Sequence, residues 1–580
     1  MIKLENIRFT DDDTTARTAI AKVAAGQPLS RAEELAKIKA MKLTAKERAA
    51  VDAFESVNGV LLKYSRAAVV ADGERILKAR AADRRTAIIN DVYNTKPDNF
   101  HIIRRAAELP RFRERLREEC RRQLAEWPDR FKELGVLTMT AGDFEGTGID
   151  AYTDLSIGFS IWLPLLDEGY YLAYGHVDMR DHPSLVDIPD NALHNAETPQ
   201  LTRTQALAAI MPYLTAASHG KSFHMGSTRY DLHVAKNDGY TIAGCRWDSR
   251  DAMYLLNEHE DTYGLKPLTE KYGEKFGIDG PIYTFEDMFG NRSPAPFDIE
   301  LVGIYAIKDV LYGWRLTEWQ FELMKTRGRL FECYARIDCR IPEVDVELCR
   351  AGFIVDLDEL AALDAEFTPQ LKQAEADVVT AYGIDADFVY TMDRQLNAAK
   401  IADWIDGQKV RIAKWNERRR KLSATMDELT AAGKTHLKKY EQAAEAYAKL
   451  LEEPPVSAIE DNAPRYIEEF SITNSNHLAY LIYDVLGVKD RTELFKRGKE
   501  RSTAKDVLEL YYEEEEALKP LAVVAMYEKL LNTYIRKIPN ALDRDGRIHS
   551  EFKAGGTNTG RYSSSGYKGR PLDVLEAFGI

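Results

Sequence analysis

The 580-residue chain is poor in cysteine and lacks long apolar runs. Its five cysteines form no Cys-x-x-Cys pair, which excludes the usual zinc ribbons and favours a reducing, cytoplasmic setting over a disulfide framework. No uninterrupted apolar span approaches the roughly 18 residues of a membrane helix, and the N-terminus has no apolar export segment. We therefore expect a protein that is neither inserted into a membrane nor exported.

An excess of basic residues is also missing, because 79 Lys and Arg stand against 93 Asp and Glu, for a net charge of −14. This balance argues against a small basic DNA-binding module, but it is compatible with a large enzyme whose basic residues share one face. The composition is 45% hydrophobic and 30% charged, which is typical of a globular protein. At roughly 150 residues per domain, the length predicts about three or four domains.

The pattern of residues changes twice along the chain and predicts three regions. Residues 1–130 have apolar positions at helical spacing and are predicted to form a helical N-terminal region of unassigned role. Residues 131–325 contain short β-type runs separated by Gly, Asp and Pro, which predicts an α/β domain. Residues 326–580 are predicted to be mostly helical. An Arg-rich stretch within 104–134 has acidic residues three and four positions away, which favours an ion-paired helix face over a nucleic-acid contact.

The stretch "TMTAGDFEGTGID" places Asp143 and Glu145 at the end of a predicted strand. Residues i and i+2 of a strand lie on the same side, so both carboxylates can face one cation. The same D-x-E spacing occurs elsewhere in the chain, so the pattern alone favours an ordinary acidic tripeptide over a catalytic pair. Context favours a site, because Gly146 and Gly148 follow and allow a sharp turn or the close approach of a substrate.

Two further segments carry acidic residues of the same kind. Asp231 lies in "STRYDLHVAKNDG", and Tyr305 and Asp309 are four residues apart in a predicted helix, where they share one face. Four carboxylates in one pocket would repel one another unless divalent cations neutralised them, and oxygen ligands suit Mg²⁺ or Mn²⁺. The histidines of this region show neither HxxxH nor HExxH spacing, which argues against a helical zinc site.

Three ordered motifs, "DFEGTG", "RYDLHV" and "YAIKD", resemble the 3′-5′ exonuclease domain of family A DNA polymerases, the polymerase I-like group of the DEDD exonuclease class. The resemblance implies an α/β ribonuclease H-like exonuclease domain that removes nucleoside monophosphates from DNA 3′ ends, as proofreading requires. It implies that Asp143 bridges two metal ions and that Glu145 and Asp309 complete the first site. Asp231 would serve the second site through water, and Tyr305 would orient the attacking water. Ser227 stands where the family usually has Asn.

The resemblance continues toward the C-terminus, where it implies a polymerase thumb and the start of a palm. "SITNSNHLAYLIYDVLGV" is similar to a thumb segment, and "GRIHSEFKAGGTNTGRYSSSG" is similar to the stretch that contacts primer-template in that family. Arg side chains beside Ser and Thr hydroxyls are suited to phosphate contacts. The predicted DNA-binding residues are Arg547, His549, Thr559, Arg561, Ser563, Ser564 and Asn474.

Three polymerase signatures are missing from the sequence: the stretch with the first palm Asp, the fingers helix and the His-Asp-Glu turn. We therefore expect that this chain alone does not extend a primer, and that a second polypeptide carries palm and fingers. The absence of a 5′ nuclease and the unusual N-terminal helices favour a phage-type polymerase in a host cytoplasm. A stand-alone 3′-5′ exonuclease and a non-catalytic DNA-binding subunit of a replication complex remain the alternatives.

Overall fold

The computed structural model describes residues 30–61, 64–224, 229–491, 500–543, 545–555, 557 and 559–566. The chain divides into two compact units. Met1–Phe353 and Arg547–Ile580 together form the first unit, and Ile354–Gly546 forms the second. The described residues after Gly546 therefore belong to the same unit as the acidic motifs.

The first unit contains a six-stranded sheet with helices around it. Its sheet strands are β1 (Phe100–Ile103), β2 (Thr138–Gly146), β3 (Ser156–Leu163), β4 (Glu168–Ala173), β5 (His219–Phe223) and β6 (Cys245–Asp248). Its helices are α1 (Arg31–Lys39), α2 (Ala45–Ser56), α3 (Arg66–Asn94), α4 (Leu109–Glu126), α5 (Arg203–Leu214), α6 (Tyr230–Asn237), α7 (Ser249–Leu256), α8 (Leu265–Tyr272), α9 (Phe285–Phe289), α10 (Ile299–Lys325), α11 (Arg329–Arg336) and α12 (Ile341–Ala351). Short strands β7 (Phe353–Ile354), β8 (Arg547–Ile548), β9 (Ser550–Lys553) and β10 (Ser563–Gly566) lie outside this sheet.

The second unit is helical in its described part. Its helices are α13 (Leu357–Tyr382), α14 (Ala386–Leu396), α15 (Ala398–Ala431), α16 (Lys438–Glu452), α17 (Ser475–Ala479), α18 (Lys505–Glu514) and α19 (Lys519–Lys529), with π-helical turns at Tyr480–Val485 and Leu530–Ile535. Its core joins residues of α13, α18 and α19, including Val378, Tyr511 and Leu521. In the described residues of either unit, no helix is both long and apolar enough to cross a membrane.

The six strands lie in the order β1-β4-β3-β2-β5-β6, with β2 at an interior position. β2 runs antiparallel to β3 and parallel to β5, and β5 runs parallel to β6. All eight residues of β3 are buried, which indicates that both faces of the sheet are covered. One face packs on α10, whose buried residues include Ile304 and Val310, and the other packs on α4 and α5 through residues such as Phe112 and Ile210.

The predicted mixed α/β character is confirmed, with one correction in the N-terminal region. Residues 100–103 form strand β1 rather than part of a helix, because the sequence Phe-His-Ile-Ile pairs in parallel with β4 and completes the sheet edge. The ion-paired character of the Arg-rich helix is confirmed, since Arg121 contacts Glu114 and Arg122 contacts Glu126 on α4. The predicted helical character of residues 326–580 is found in the charged stretch after Ile405, which lies in helices α15 and α16.

Gly352 ends helix α12 in a conformation that only glycine adopts readily, with φ 59° and ψ −177°. A Cβ atom there would lie 2.9 Å from the ring of His549. The glycine therefore lets the C-terminal stretch pack closely on the end of α12.

We predict that Gly352→Ala lowers the free energy of unfolding by about 3 kcal/mol, because it adds backbone strain and a contact with His549. Gly277→Ala is the control, since Gly277 also has a positive φ, 74° with ψ 32°, and open space around its Cβ position. The control should lose only about 1 kcal/mol. Calorimetric unfolding measures both losses, and equal losses would contradict the packing role of Gly352.

Candidate active site

Strand β2 carries Asp143 and Glu145 on one side of the sheet, as alternation along a strand requires. Phe144 points to the opposite face, where its ring lies 4.6 Å from that of Phe159. Glu145 is buried, at 6% exposure. The strand thus fixes two carboxylates at its C-terminal end while the residue between them anchors the sheet to the core.

Helix α6 brings Asp231 to the same place. Its Oδ1 accepts a hydrogen bond of 2.9 Å from the backbone N–H of Phe144, which lies between the two β2 carboxylates. Asp231 is 3% exposed and shares a side-chain hydrogen bond with Asp143. The second predicted motif therefore meets the first through one backbone and one side-chain contact.

Helix α10 places Tyr305 and Asp309 one turn apart beside the same strand. Asp309 and Asp143 line one small cavity of about 110 Å³. Burial, followed by the charges of Glu145 and Asp143, raises the pKa of the Tyr305 phenol well above its usual range. The structure thus brings together all five residues that the sequence predicts as catalytic.

The pKa values of Asp143, Glu145 and Asp231 are all raised, first by burial and, for Asp143 and Glu145, also by neighbouring carboxylates. Burial, followed by the charges of Asp231 and Glu145, raises the pKa of Asp143 well above its usual range. Burial and the charge of Asp231 raise the pKa of Glu145 to about 7. Burial raises the pKa of Asp231 to about 6, although the Phe144 N–H opposes the shift. Each carboxyl therefore holds its proton more tightly than it would in water.

Lys266 is a site residue that the sequence did not predict. It lies on α8, its ammonium pairs with Asp309, and it sits 4.7 Å from the centroid of the Tyr305 ring. Burial lowers the pKa of Lys266 to about 7, although Asp143 and Glu145 favour its charged form. A lysine 43 residues before Asp309 gives no local sequence signal of this contact.

His224 also lines the cavity that contains Asp143 and Asp309, and its Nδ1 lies 2.6 Å from the hydroxyl of Ser249. Burial lowers the pKa of His224 to about 3, so it is neutral near physiological pH. Its neighbour in the sequence, Ser227, lies outside the described residues. The spacing of the histidines gave no reason to expect His224 here.

The donor set fits Mg²⁺ or Mn²⁺ by its chemistry, because all of its ligands would be carboxylate oxygens. Among residues that the structure describes, no three His, Cys, Asp or Glu side chains converge closely enough to hold an ion as they stand. The ammonium of Lys266 lies among these carboxylates instead. Occupation by a cation would therefore require these side chains to rearrange.

A larger cavity of about 630 Å³ opens beside Glu145. Gly146 and Gly148 form one wall, where the Tyr230 hydroxyl donates a 2.6 Å hydrogen bond to the Gly148 carbonyl. A Cβ at Gly146 would collide with that hydroxyl, which explains the first glycine after the motif. Ile149 lines the cavity and is 91% exposed, so it offers an apolar edge to a ligand.

The predicted DNA-binding residues fall into both units. Asn474 belongs to the second unit and caps α17, since its Oδ1 accepts the N–H of Asn476 at 2.9 Å. His549 is buried, with its Nδ1 2.8 Å from the Cys349 carbonyl. The others lie along the β8 to β10 segment of the first unit: Arg547, Thr559, Arg561, Ser563 and Ser564.

Comparison with known proteins gives a match to the family described as DNA polymerase family A over residues 439–567. DNA polymerase I of Chloroflexus aurantiacus is 25% identical over 182 residues, which are 31% of this chain and 18% of that protein. The thermostable DNA polymerase I of Thermus aquaticus is 34% identical over 97 residues, or 17% of this chain and 12% of that protein. The DNA polymerase of Escherichia phage T5 is 31% identical over 121 residues, or 21% and 14%.

A solved structure of the POL domain of Pol1 from M. smegmatis, in complex with DNA primer-template and dNTP, matches with a TM-score of 0.43 and 16% identity. The match covers 76% of this chain and 53% of that one. The matched sequence stretches span less than a fifth of each polymerase relative. Over these stretches the chain is similar to the DNA polymerases named above, and the match to the family model lies outside the acidic motifs.

We predict that the metal-free protein is destabilised by its own site as pH rises. Glu145 and Asp231 have higher pKa values in the folded state than in the unfolded chain. They therefore cost the folded state little below about pH 4, and the free energy of unfolding falls as the pH rises from about 4 to about 7. Asp143→Asn removes one charge, so in chelator at about pH 7.5 it should be more stable than the parent by about 1 to 3 kcal/mol.

The gap between Asp143→Asn and the parent should nearly close at about pH 4, where the site carboxyls are protonated in the folded state and about half protonated in the unfolded chain. Denaturant unfolding at the two pH values measures it. Asp129→Asn, at a side chain that is 78% exposed, is the control and should show no such gap. A parent more stable than Asp143→Asn at the higher pH would contradict this account.

Proposed function

We propose that the chain is part of a family A DNA polymerase and carries a two-metal 3′-5′ exonuclease. The observation that supports this most strongly is the convergence of the buried Glu145 and Asp231 with the half-buried Asp143, beside Asp309 and Tyr305. Such crowding is expected where cations and a charged substrate belong. We assign residues 131–325 to a ribonuclease H-like exonuclease domain, 326–580 to a thumb and the start of a palm, and 1–130 to a helical region of unassigned role.

In this proposal Asp143, Glu145, Asp231 and Asp309 would hold two Mg²⁺ or Mn²⁺ ions. When bound, the ions would activate water near neutral pH and stabilise the leaving 3′ oxygen. Tyr305 keeps its proton because burial and the neighbouring carboxylates raise the pKa of its phenol. It can therefore donate a hydrogen bond that orients the attacking water.

The 630 Å³ cavity beside Glu145 has the size of a small-ligand pocket and would receive the 3′-terminal nucleotide. Ile149 and Phe285 offer apolar surface for a base or sugar, and Arg292 offers positive charge for a phosphate. Arg292 is itself paired with Asp187, which fixes its position. The walls thus supply both kinds of contact that a nucleotide requires.

The relatedness over residues 439–567 supports DNA as the partner. We propose that Asn474, Arg547, Thr559, Arg561, Ser563 and Ser564 contact primer-template. Buried His549 would act by supporting this segment. Palm and fingers, which polymerisation needs for its own metal pair, would come from a second polypeptide of a phage-type polymerase.

We predict that Asp143→Ala lowers the rate of 3′ nucleotide removal at least about a thousandfold, because it removes a ligand shared by both ions. The assay uses a 5′-labelled primer-template with Mg²⁺, with and without nucleotides. The parent should shorten the primer and should not extend it. DNA affinity, measured by fluorescence anisotropy, should change by less than about threefold, because the carboxylate binds metal rather than the DNA backbone.

Asp129→Ala is the control and should cleave as the parent does, because this side chain is 78% exposed and its ion-pair partner is the equally exposed Lys132. If the parent shortens no matched, mismatched or single-stranded end in Mg²⁺ or Mn²⁺, the proposed exonuclease activity is contradicted. The alternative of a non-catalytic DNA-binding subunit would then be favoured. Loss of both cleavage and DNA affinity in a folded Asp143→Ala variant would contradict the role given to this carboxylate.

A further inference from the structure

A buried arginine lies two residues before Asp231. Arg229 is 1% exposed, and its guanidinium contacts three carboxylates. It donates to Asp248 Oδ2 at 2.7 Å, Asp251 Oδ2 at 2.5 Å and Asp345 Oδ2 at 3.2 Å. A planar guanidinium with donors in a fixed fork is suited to such a cluster, so these contacts define both the position and the orientation of Arg229.

The backbone of Arg229 is left-handed, with φ 56° and ψ 45°, immediately before helix α6 begins at Tyr230. Residues other than glycine seldom adopt this conformation, and they keep it when surrounding contacts hold them there. The three carboxylates supply such contacts. The direction in which α6 starts, and with it the position of Asp231, therefore depends on where the Arg229 side chain is held.

Helix α12 holds α6 at both of its ends. Asp345 binds Arg229 at the start of α6, and Arg350 donates to Asn237 Oδ1 at 2.9 Å at its end. Arg350 also lies 3.3 Å from the Nδ1 of His233. Asp345 is fully buried. A displacement of α12 would therefore reach the helix that carries Asp231.

Helix α12 also supports the hairpin of β9 and β10, residues 550–566. The Tyr562 hydroxyl donates to Asp345 Oδ1 at 2.7 Å, so the two oxygens of Asp345 are divided between Tyr562 and Arg229. The N–H of Phe552 contacts Cys349 Sγ at 3.5 Å, and His549 binds the Cys349 carbonyl. The hairpin thus contacts the same helix that orients Arg229.

We propose that Tyr562, Asp345 and Arg229 are positioning residues that link the hairpin to Asp231, so that a DNA duplex bound on the hairpin changes how firmly α6 is held. This regulation rests on the proposed function for its consequence, since Asp231 is there a metal ligand. The link itself consists of two hydrogen bonds to one buried carboxylate. Loss of either bond leaves one buried oxygen of Asp345 without that hydrogen-bond donor and makes the position of Asp345, and so of Arg229, less well defined.

The test compares Tyr562→Phe with the parent by amide hydrogen exchange, followed by mass spectrometry. Removal of a hydrogen bond to a buried carboxylate should speed exchange in residues 230–237 by about three- to tenfold. A blunt duplex should change exchange there in the parent and have little effect in Tyr562→Phe. With a single-stranded oligonucleotide as substrate, kcat should fall by a similar factor while KM stays within about twofold, because positioning of the chemistry and not binding is impaired.

Tyr254→Phe is the matched control. The Tyr254 hydroxyl donates to the Thr557 carbonyl at 2.6 Å, so its loss removes a bond to the same C-terminal stretch without touching Asp345. This variant should leave exchange in residues 230–237 and kcat as in the parent. Equal effects of the two variants would overturn the link, because they would indicate general loosening of the stretch.

Exchange in residues 230–237 that is unchanged in Tyr562→Phe would also overturn the link, whatever the nuclease activity. A parent without nuclease activity whose α6 exchange still responds to Tyr562→Phe would support the link and contradict the proposed function. A parent with nuclease activity whose α6 exchange does not respond to Tyr562→Phe would support the proposed function and contradict the link. The two failures are therefore distinguishable.

Discussion

The burial of several carboxylates close together costs free energy unless cations neutralise them. Asp143, Glu145 and Asp231 are held in this arrangement, and the raised pKa values show that the charge of Lys266 does not relieve it fully. The rest of the first unit has to maintain this arrangement against repulsion. A sheet covered on both faces and the long buried helix α10 provide the required rigidity.

The residues that match the model of DNA polymerase family A lie in both compact units. The family match over 439–567 begins in the second unit and ends in the first, because the chain returns there at Arg547. The returning segment packs on helix α12 through Tyr562 and His549. Within the first unit, the C-terminal segment proposed to contact primer-template therefore packs on helix α12. Helix α12 in turn contacts α6, which carries Asp231.

Local patterns predicted the elements that carry the site. An apolar run followed by "DFEG" predicted strand β2, and the spacing of Tyr305 and Asp309 predicted one face of a helix, since both signals depend only on neighbouring residues. The contact between Lys266 and Asp309 and the carboxylates around Arg229 depend on tertiary packing, which leaves no periodic signal. Strand β1 was missed because four residues between helices gain their strand conformation from pairing with β4.

The most direct test of the central claim is to count bound Mn²⁺ by electron paramagnetic resonance, with the full chain at about pH 8, above the pKa values of Glu145, about 7, and Asp231, about 6. Two carboxylate sites that share Asp143 predict about two ions for each parent chain and fewer than one for Asp143→Asn. Asp129→Asn should bind as the parent does. Equal binding by the parent and Asp143→Asn, or no binding by the parent, would contradict the claim that these buried carboxylates form a metal site.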